Sequence, residues 1–228
     1  MTKQKGKLIV IEGGDGSGKA TQAQMLVEKL EGDGQKVCMF SFPRYYDSRA
    51  GKLIGELLSG KHGDFMSMSP YVSSLPYVLD RVGAIDDLKE KLSDGYTVIC
   101  DRYAPSNLAH QNAKLPEDER LAFTEFIEGL EYDELGVPKP DLVLYLSVPA
   151  DVAYGLVVQK GERGYMAEDG SKRDHAERNL EHQEKTRDVY LKFAAERDAW
   201  MAVDCAPLGH MRSKEDIHED VAKIVAEL

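Results

Sequence analysis

The chain has 228 residues, 42% hydrophobic and 30% charged, with 40 acidic against 29 basic side chains and a net charge of −11. That length gives one domain enough core to fold without cross-links. The acidic excess excludes a general nucleic-acid or anionic-membrane binder, whose phosphates it would repel. The three cysteines, Cys38, Cys100 and Cys205, are far apart and form no C-x-x-C pair. They argue against a disulfide framework or a zinc site and for a reducing compartment.

In chain order, the apolar run Leu8–Ile11 stops at Glu12, too short for a signal segment or a membrane span. A cytoplasmic protein is expected. Further β-branched runs follow at Val37–Phe40, Thr97–Cys100 and Leu142–Val148, with a weaker one at Trp200–Val203. Each is apolar on both parities, as in strands covered on both faces. Between them, Leu75–Leu92 repeats apolar residues at three and four, which predicts one helix. The stretch Arg173–Arg197 predicts another, with His175 and His182 facing solvent. Ile217, Val221, Ile224 and Val225 mark a last amphipathic helix. Gly60–Ser69 and Lys160–Lys172, rich in glycine and charge but poor in core residues, are candidates for mobile loops. The alternation predicts an α/β fold with a central five-stranded parallel sheet flanked by helices on both faces, as one domain over 1–228.

The first strand runs into Gly13-Gly14-Asp15-Gly16-Ser17-Gly18-Lys19-Ala20-Thr21, and a helical run follows. This is G-x-x-x-x-G-K at a strand-to-helix turn, a P-loop. Its glycines let backbone N–H groups converge on phosphate oxygens, and Lys19 brings a point charge to the outer phosphates. The fold class is therefore a P-loop NTPase three-layer sandwich, with Gly13–Thr21 as the ATP site. The magnesium hydroxyl expected after Lys19 is replaced by Ala20, with Thr21 one place later. A nucleotide-binding module without turnover thus remains an alternative to an enzyme.

Arginines stand where strands end and helices begin. Arg44 follows the second strand, Arg81 lies in the helix from Leu75, and Arg102 ends the third strand. Guanidinium forks beyond the carboxyl ends of parallel strands suit a second phosphate. A surface salt bridge is the bland reading of each one alone.

From Leu8 to about Leu191 the sequence resembles the thymidylate (dTMP) kinases. The likeness rests on five motifs in order: Gly13–Lys19, Phe42-Pro43-Arg44-Tyr45, Tyr77-Val78-Leu79-Asp80-Arg81, Asp101-Arg102-Tyr103-Ala104-Pro105-Ser106-Asn107 and Lys139-Pro140-Asp141-Leu142. It implies transfer of the γ-phosphate of ATP to dTMP with Mg2+, by a homodimer. A kinase for another nucleoside monophosphate is the alternative. Arg44 and Arg102 would clamp the acceptor phosphate, with Phe42 and Tyr45 beside them. Asp15 would face the sugar hydroxyl or the metal. Tyr77 would stack on the base, Arg81 would donate to a base carbonyl, and Asn107 would pair with the base edge, supported by Ser106. His110 stands where many relatives crowd the ribose 2′ position with an aromatic, and Gln111 follows it. Asp15, Asp101 and Glu177 would serve the metal. A lid at 160–173 would bring Arg163 and Arg173 to the transferring phosphoryl group. Asp174 and Glu177 open the next helix and fit a capping pair equally well.

Overall fold

The computed structural model describes residues 5–160 and 180–228. Its strands are β1 (Lys7–Gly13), β2 (Val37–Ser41), β3 (Thr97–Asp101), β4 (Leu142–Ser147) and β5 (Trp200–Asp204). They form one parallel sheet in the order β2-β3-β1-β4-β5. Helices α1 (Lys19–Gly32), α2 (Arg49–Leu58), α3 (Pro70–Val82), α4 (Ile85–Ser93) and α5 (Ala104–Asn112) come first. Then follow α6 (Glu117–Glu128), α7 (Ala150–Lys160), α8 (Leu180–Glu196) and α9 (Lys214–Ala226). Every expected strand is present, including the weak one that forms β5.

Successive strand residues point to opposite faces, so the apolar run of β1 feeds two layers. Leu8 and Val10 join Val98, Cys100 and Tyr145 beneath α3, α5 and α8. Ile9 and Ile11 join Ile99 and Leu144 beneath α1 and α9. All four β1 side chains are buried, each contributing about 1.5–3 kcal/mol relative to exposure. With β1 central and flanked by β3 and β4, the loops after β1, β2 and β3 gather at one edge of the sheet, where a parallel fold binds ligands.

Three expectations need correction. Leu75–Leu92 is two helices, because the chain turns at Gly83 and Ala84 so that α4 can pack on β3. The periodicity continued across the break, but Leu75 and Leu79 are exposed. His182 is buried against His110 and Thr186 rather than solvent-facing. Gly60–Ser69 supplies Phe65 to a small core with Ile54, Leu57 and Leu58, so one of its residues does belong to the core. Arg163, Arg173, Asp174, His175 and Glu177, with the lid beyond Lys160, lie outside the described residues.

Candidate active site

The glycine loop joins β1 to α1 through left-handed backbone at Gly16 (φ 85°) and Gly18 (φ 89°), which glycine adopts without a Cβ penalty. No side chain caps the first turn of α1, so its amide donors are available to an anion. Lys19 is buried at the helix start, and its Nζ donates to Gly14 O at 2.7 Å. The same Nζ stands 3.9 Å from Asp15 Oδ1. Ala20 and Thr21 are exposed.

Beside this loop lies a cleft, partly open to solvent, lined by Phe42, Tyr45, Tyr77, Arg81, Arg102 and Asn107 among others. Each arginine is held by a carboxylate. Arg102 Nη2 donates to Asp15 Oδ1 at 2.7 Å, which ties the cleft to the phosphate loop. Arg102 itself has φ 64°, a left-handed conformation that costs a non-glycine residue free energy. The following residue secures it: Tyr103 N–H donates to Glu12 Oε1 at 3.0 Å. Glu12 Oε2 also accepts from Ser106 Oγ at 2.5 Å and from Tyr190 Oη at 2.8 Å.

Arg44 is locked to the buried Asp80 of α3. Its backbone N–H donates to Asp80 Oδ2 at 2.8 Å, Nε to Oδ1 at 3.2 Å, and Nη2 to the Asp80 carbonyl at 2.7 Å. Ser48 caps α2 and donates to the same Oδ1. Arg81 is buried and forked onto Glu131, Nε to Oε2 and Nη2 to Oε1, both at 2.5 Å. Burial works against the Arg81 charge, but Glu131 outweighs it and its pKa stands above the ordinary value.

The titratable groups of the cleft are shifted chiefly by burial. Burial raises the Glu12 carboxyl, partly offset by Arg102 and its three hydrogen bonds. Burial, then Arg102 and His182, hold His110 well below the ordinary imidazole value, and burial pushes His182 to about 4. Both rings are neutral near pH 7. Lys114 donates to Ser73 Oγ at 3.0 Å and is pushed down to about 8 by burial, with Asp64 opposing.

Among the described residues, no three His, Cys, Asp or Glu side chains form a metal cage. Magnesium does not need one, since it keeps water and phosphate ligands and takes one or two carboxylates. Asp101 Oδ1, at the end of β3, is buried and has no hydrogen-bond partner among the described residues. An acceptor with no protein donor suits a hydrated cation, so the residues present fit the ion.

Most site residues expected from sequence do converge: Asp15, Phe42, Arg44, Tyr45, Tyr77, Arg81, Arg102, Ser106, Asn107, His110 and Gln111 lie in or beside this cleft. Ser106 lines the cleft, where its Oγ donates to Glu12 and accepts from Arg102 Nη1 at 3.4 Å. Gln111 is turned to Ser73, whose Oγ donates to its Oε1 at 2.7 Å. Sequence reasoning missed three carboxylates: Glu12, Asp80 and Glu131. A signal existed for Glu12, an acid closing an apolar strand. None existed for Glu131, which lies on a π-helical turn at Gly129–Glu134 among several other acids.

A phosphate loop on a parallel sheet, joined through Asp15 and Arg102 to a cleft of arginines and aromatics, defines a P-loop protein with a second cleft beside the loop. The family model for thymidylate kinase matches residues 11–221. The thymidylate kinase of Mycobacterium tuberculosis is 40% identical over 195 residues, 83% of this chain and 86% of that protein. The human one is 32% identical over 223 residues, 97% of this chain and 90% of that protein. The solved thymidylate kinase of Candida albicans superposes with a TM-score of 0.73 at 24% identity, over 98% of this chain and 92% of that one, a likeness of fold. The chain belongs to the thymidylate kinase family.

Proposed function

We propose that the protein transfers the γ-phosphate of ATP to dTMP, giving dTDP and ADP. The observation that carries this reading is the contact between Arg102 and Asp15 at 2.7 Å, with Lys19 3.9 Å from the same carboxylate oxygen. One cluster of charge therefore serves both the ATP loop and the acceptor cleft.

In the reaction a phosphate oxygen of dTMP forms a bond to the γ-phosphorus as the bridging bond to ADP breaks. The acceptor oxygen is already anionic, so positioning and charge stabilisation are the main tasks. Lys19 and the amides of Gly13–Thr21 hold the ATP phosphates. Arg44 and Arg102 hold the acceptor phosphate, and Tyr77, Arg81 and Asn107 hold its base. Arg163 and Arg173, outside the described residues, are the proposed lid charges of 160–173. Mg2+, with Asp101, Asp15 and Glu177 as proposed holders, would neutralise phosphate charge when bound.

Three further parts of the reading concern the whole molecule. We take the chain as one kinase domain, and as cytoplasmic. Among the described residues, no helix is long and apolar enough to cross a membrane. We also take it as a homodimer, joined through the outer face of α3. Support for the dimer comes from Val72, Leu75 and Leu79, which form an exposed apolar stripe on the helix whose other face holds Asp80 and Arg81. A monomer in sedimentation at micromolar concentration would overturn it.

The test of function is ADP release over a panel of monophosphates. Lys19→Ala and Arg102→Ala should each lower kcat at least 100-fold with the fold retained. Near-normal turnover in both would sink the mechanism. ATP binding without release for any acceptor would favour the module without turnover.

A further inference from the structure

The two side chains placed at the acceptor base, Arg81 and Asn107, come from different helices but share one anchor. Glu131 is buried on the π-helical turn that follows α6 and accepts from both. Its Oε1 and Oε2 take Nη2 and Nε of Arg81, and Oε1 also takes Asn107 Nδ2 at 3.4 Å. Asn107 Nδ2 donates in addition to Ser74 O at 3.3 Å. A π-helical turn inside an α-helical run often re-aims a side chain at a functional site.

The consequence is a fixed polarity. With Nε and Nη2 bonded to Glu131, the Nη1 N–H groups of Arg81 donate to no acceptor among the described residues. With Nδ2 bound on two sides, Asn107 must turn its Oδ1 the other way. That oxygen is buried and has no hydrogen-bond partner among the described residues, and both residues line the cleft. The pair therefore presents a donor group on the arginine and an acceptor oxygen on the asparagine. An imide pyrimidine such as thymine or uracil offers the complement, a carbonyl O4 and an N3–H. Cytosine offers the reverse, an amino group and a bare N3, and would leave two donors and two acceptors facing each other.

We propose that Glu131 is a positioning residue that sets this donor–acceptor polarity through Arg81 and Asn107, so that the acceptor site takes imide pyrimidines and rejects cytosine. The inference rests on the reading of the cleft as the acceptor-base site. If the anchor is removed, the asparagine amide can turn over and the arginine can swing away. Either change relieves the mismatch with cytosine while weakening the match with thymine.

The experiment measures kcat and KM for dTMP, dUMP, dCMP and ATP in Glu131→Gln, Arg81→Met and the double variant, with folding checked by thermal melting. For Glu131→Gln we expect the KM of dTMP to rise about tenfold or more, with the KM of ATP unchanged. The preference for dTMP over dCMP should fall at least tenfold. The double variant should lose less than the two single losses added together, since the carboxylate acts in part through the arginine. If Arg81→Met alters base preference but folded Glu131→Gln keeps the wild-type KM and preference, the role of Glu131 is overturned and the base site stands. If Arg81→Met and Asn107→Ala both leave base preference unchanged, the base-site reading fails with it. A uniform loss on every acceptor in Glu131→Gln, with preference intact, marks a structural role and also overturns the proposal. Should Glu131→Gln not fold, Glu131→Asp keeps the charge on a shorter stem. The same drop in preference is then expected, and an unchanged preference refutes it.

Discussion

Gly83→Ala tests the placement of Arg44 without touching any group that contacts substrate. Gly83 closes α3 with φ −65° and ψ −8°, a backbone that alanine adopts freely. A Cβ there would lie 2.7 Å from Arg44 Nη2, while its next neighbours stand at an ordinary 3.5 Å. To restore van der Waals contact the guanidinium must retreat by about 0.7 Å. It is tethered to Asp80 through Nη2 at 2.7 Å and Nε at 3.2 Å, so the shift is taken from those bonds. Loss of one charge-assisted bond costs about 1.5–3 kcal/mol, offset by about 0.4–1 kcal/mol from replacing glycine where alanine fits. The variant should therefore fold, with a slightly lower melting temperature. Its phosphate clamp, displaced by most of an ångström, should lose about tenfold to 100-fold in kcat/KM for dTMP. A coupled ADP-release assay with dTMP varied at saturating ATP reads this directly, and the KM of ATP should not move. A folded Gly83→Ala enzyme with wild-type kcat/KM for dTMP would refute the argument, because the clamp would then not depend on this position of Arg44.

Two further predictions concern titration. Burial raises the Glu12 carboxyl, so its contribution to stability is complete below the ordinary carboxyl value and is lost as pH rises through the raised one. Glu12→Gln cannot titrate, and its amide can donate to Ser106 and Tyr190 while its oxygen accepts from Tyr103. The variant should equal the wild type near pH 4 and exceed it in stability at pH 7. Its kcat should nevertheless be lower, since Arg102 loses a counter-charge. A denaturation difference that ignores pH would contradict this. For Lys114, pushed down to about 8, burial disfavours the charged form, so its share of stability is full above the ordinary lysine value and is lost as pH falls through 8. Lys114→Met should melt higher than the wild type at pH 6.5 and lose that advantage by pH 10. An advantage that is the same at both values would exclude titration of Lys114 as its cause.

The sheet was legible in the sequence because apolar runs of four to seven residues have few ways to bury both faces. The cations were legible because P-loop and strand-end positions constrain them. The helix break at Gly83 was not legible, since Leu75 and Leu79 continue the apolar period while pointing outward. The partners of the cations were hidden for another reason. Glu131 is 50 residues from Arg81, and Asp80 is 36 from Arg44. Such pairs exist only once the helices are packed, and charge counting along the chain cannot assign them. Yet they decide the chemistry, because an arginine fork in a half-buried cleft has many rotamers and only one aims it at a phosphate or a base edge. The acidic excess of the sequence is thus not only a solvated shell. Part of it is drawn inward, as Asp15, Asp80 and Glu131, to hold Arg102, Arg44 and Arg81 in working positions.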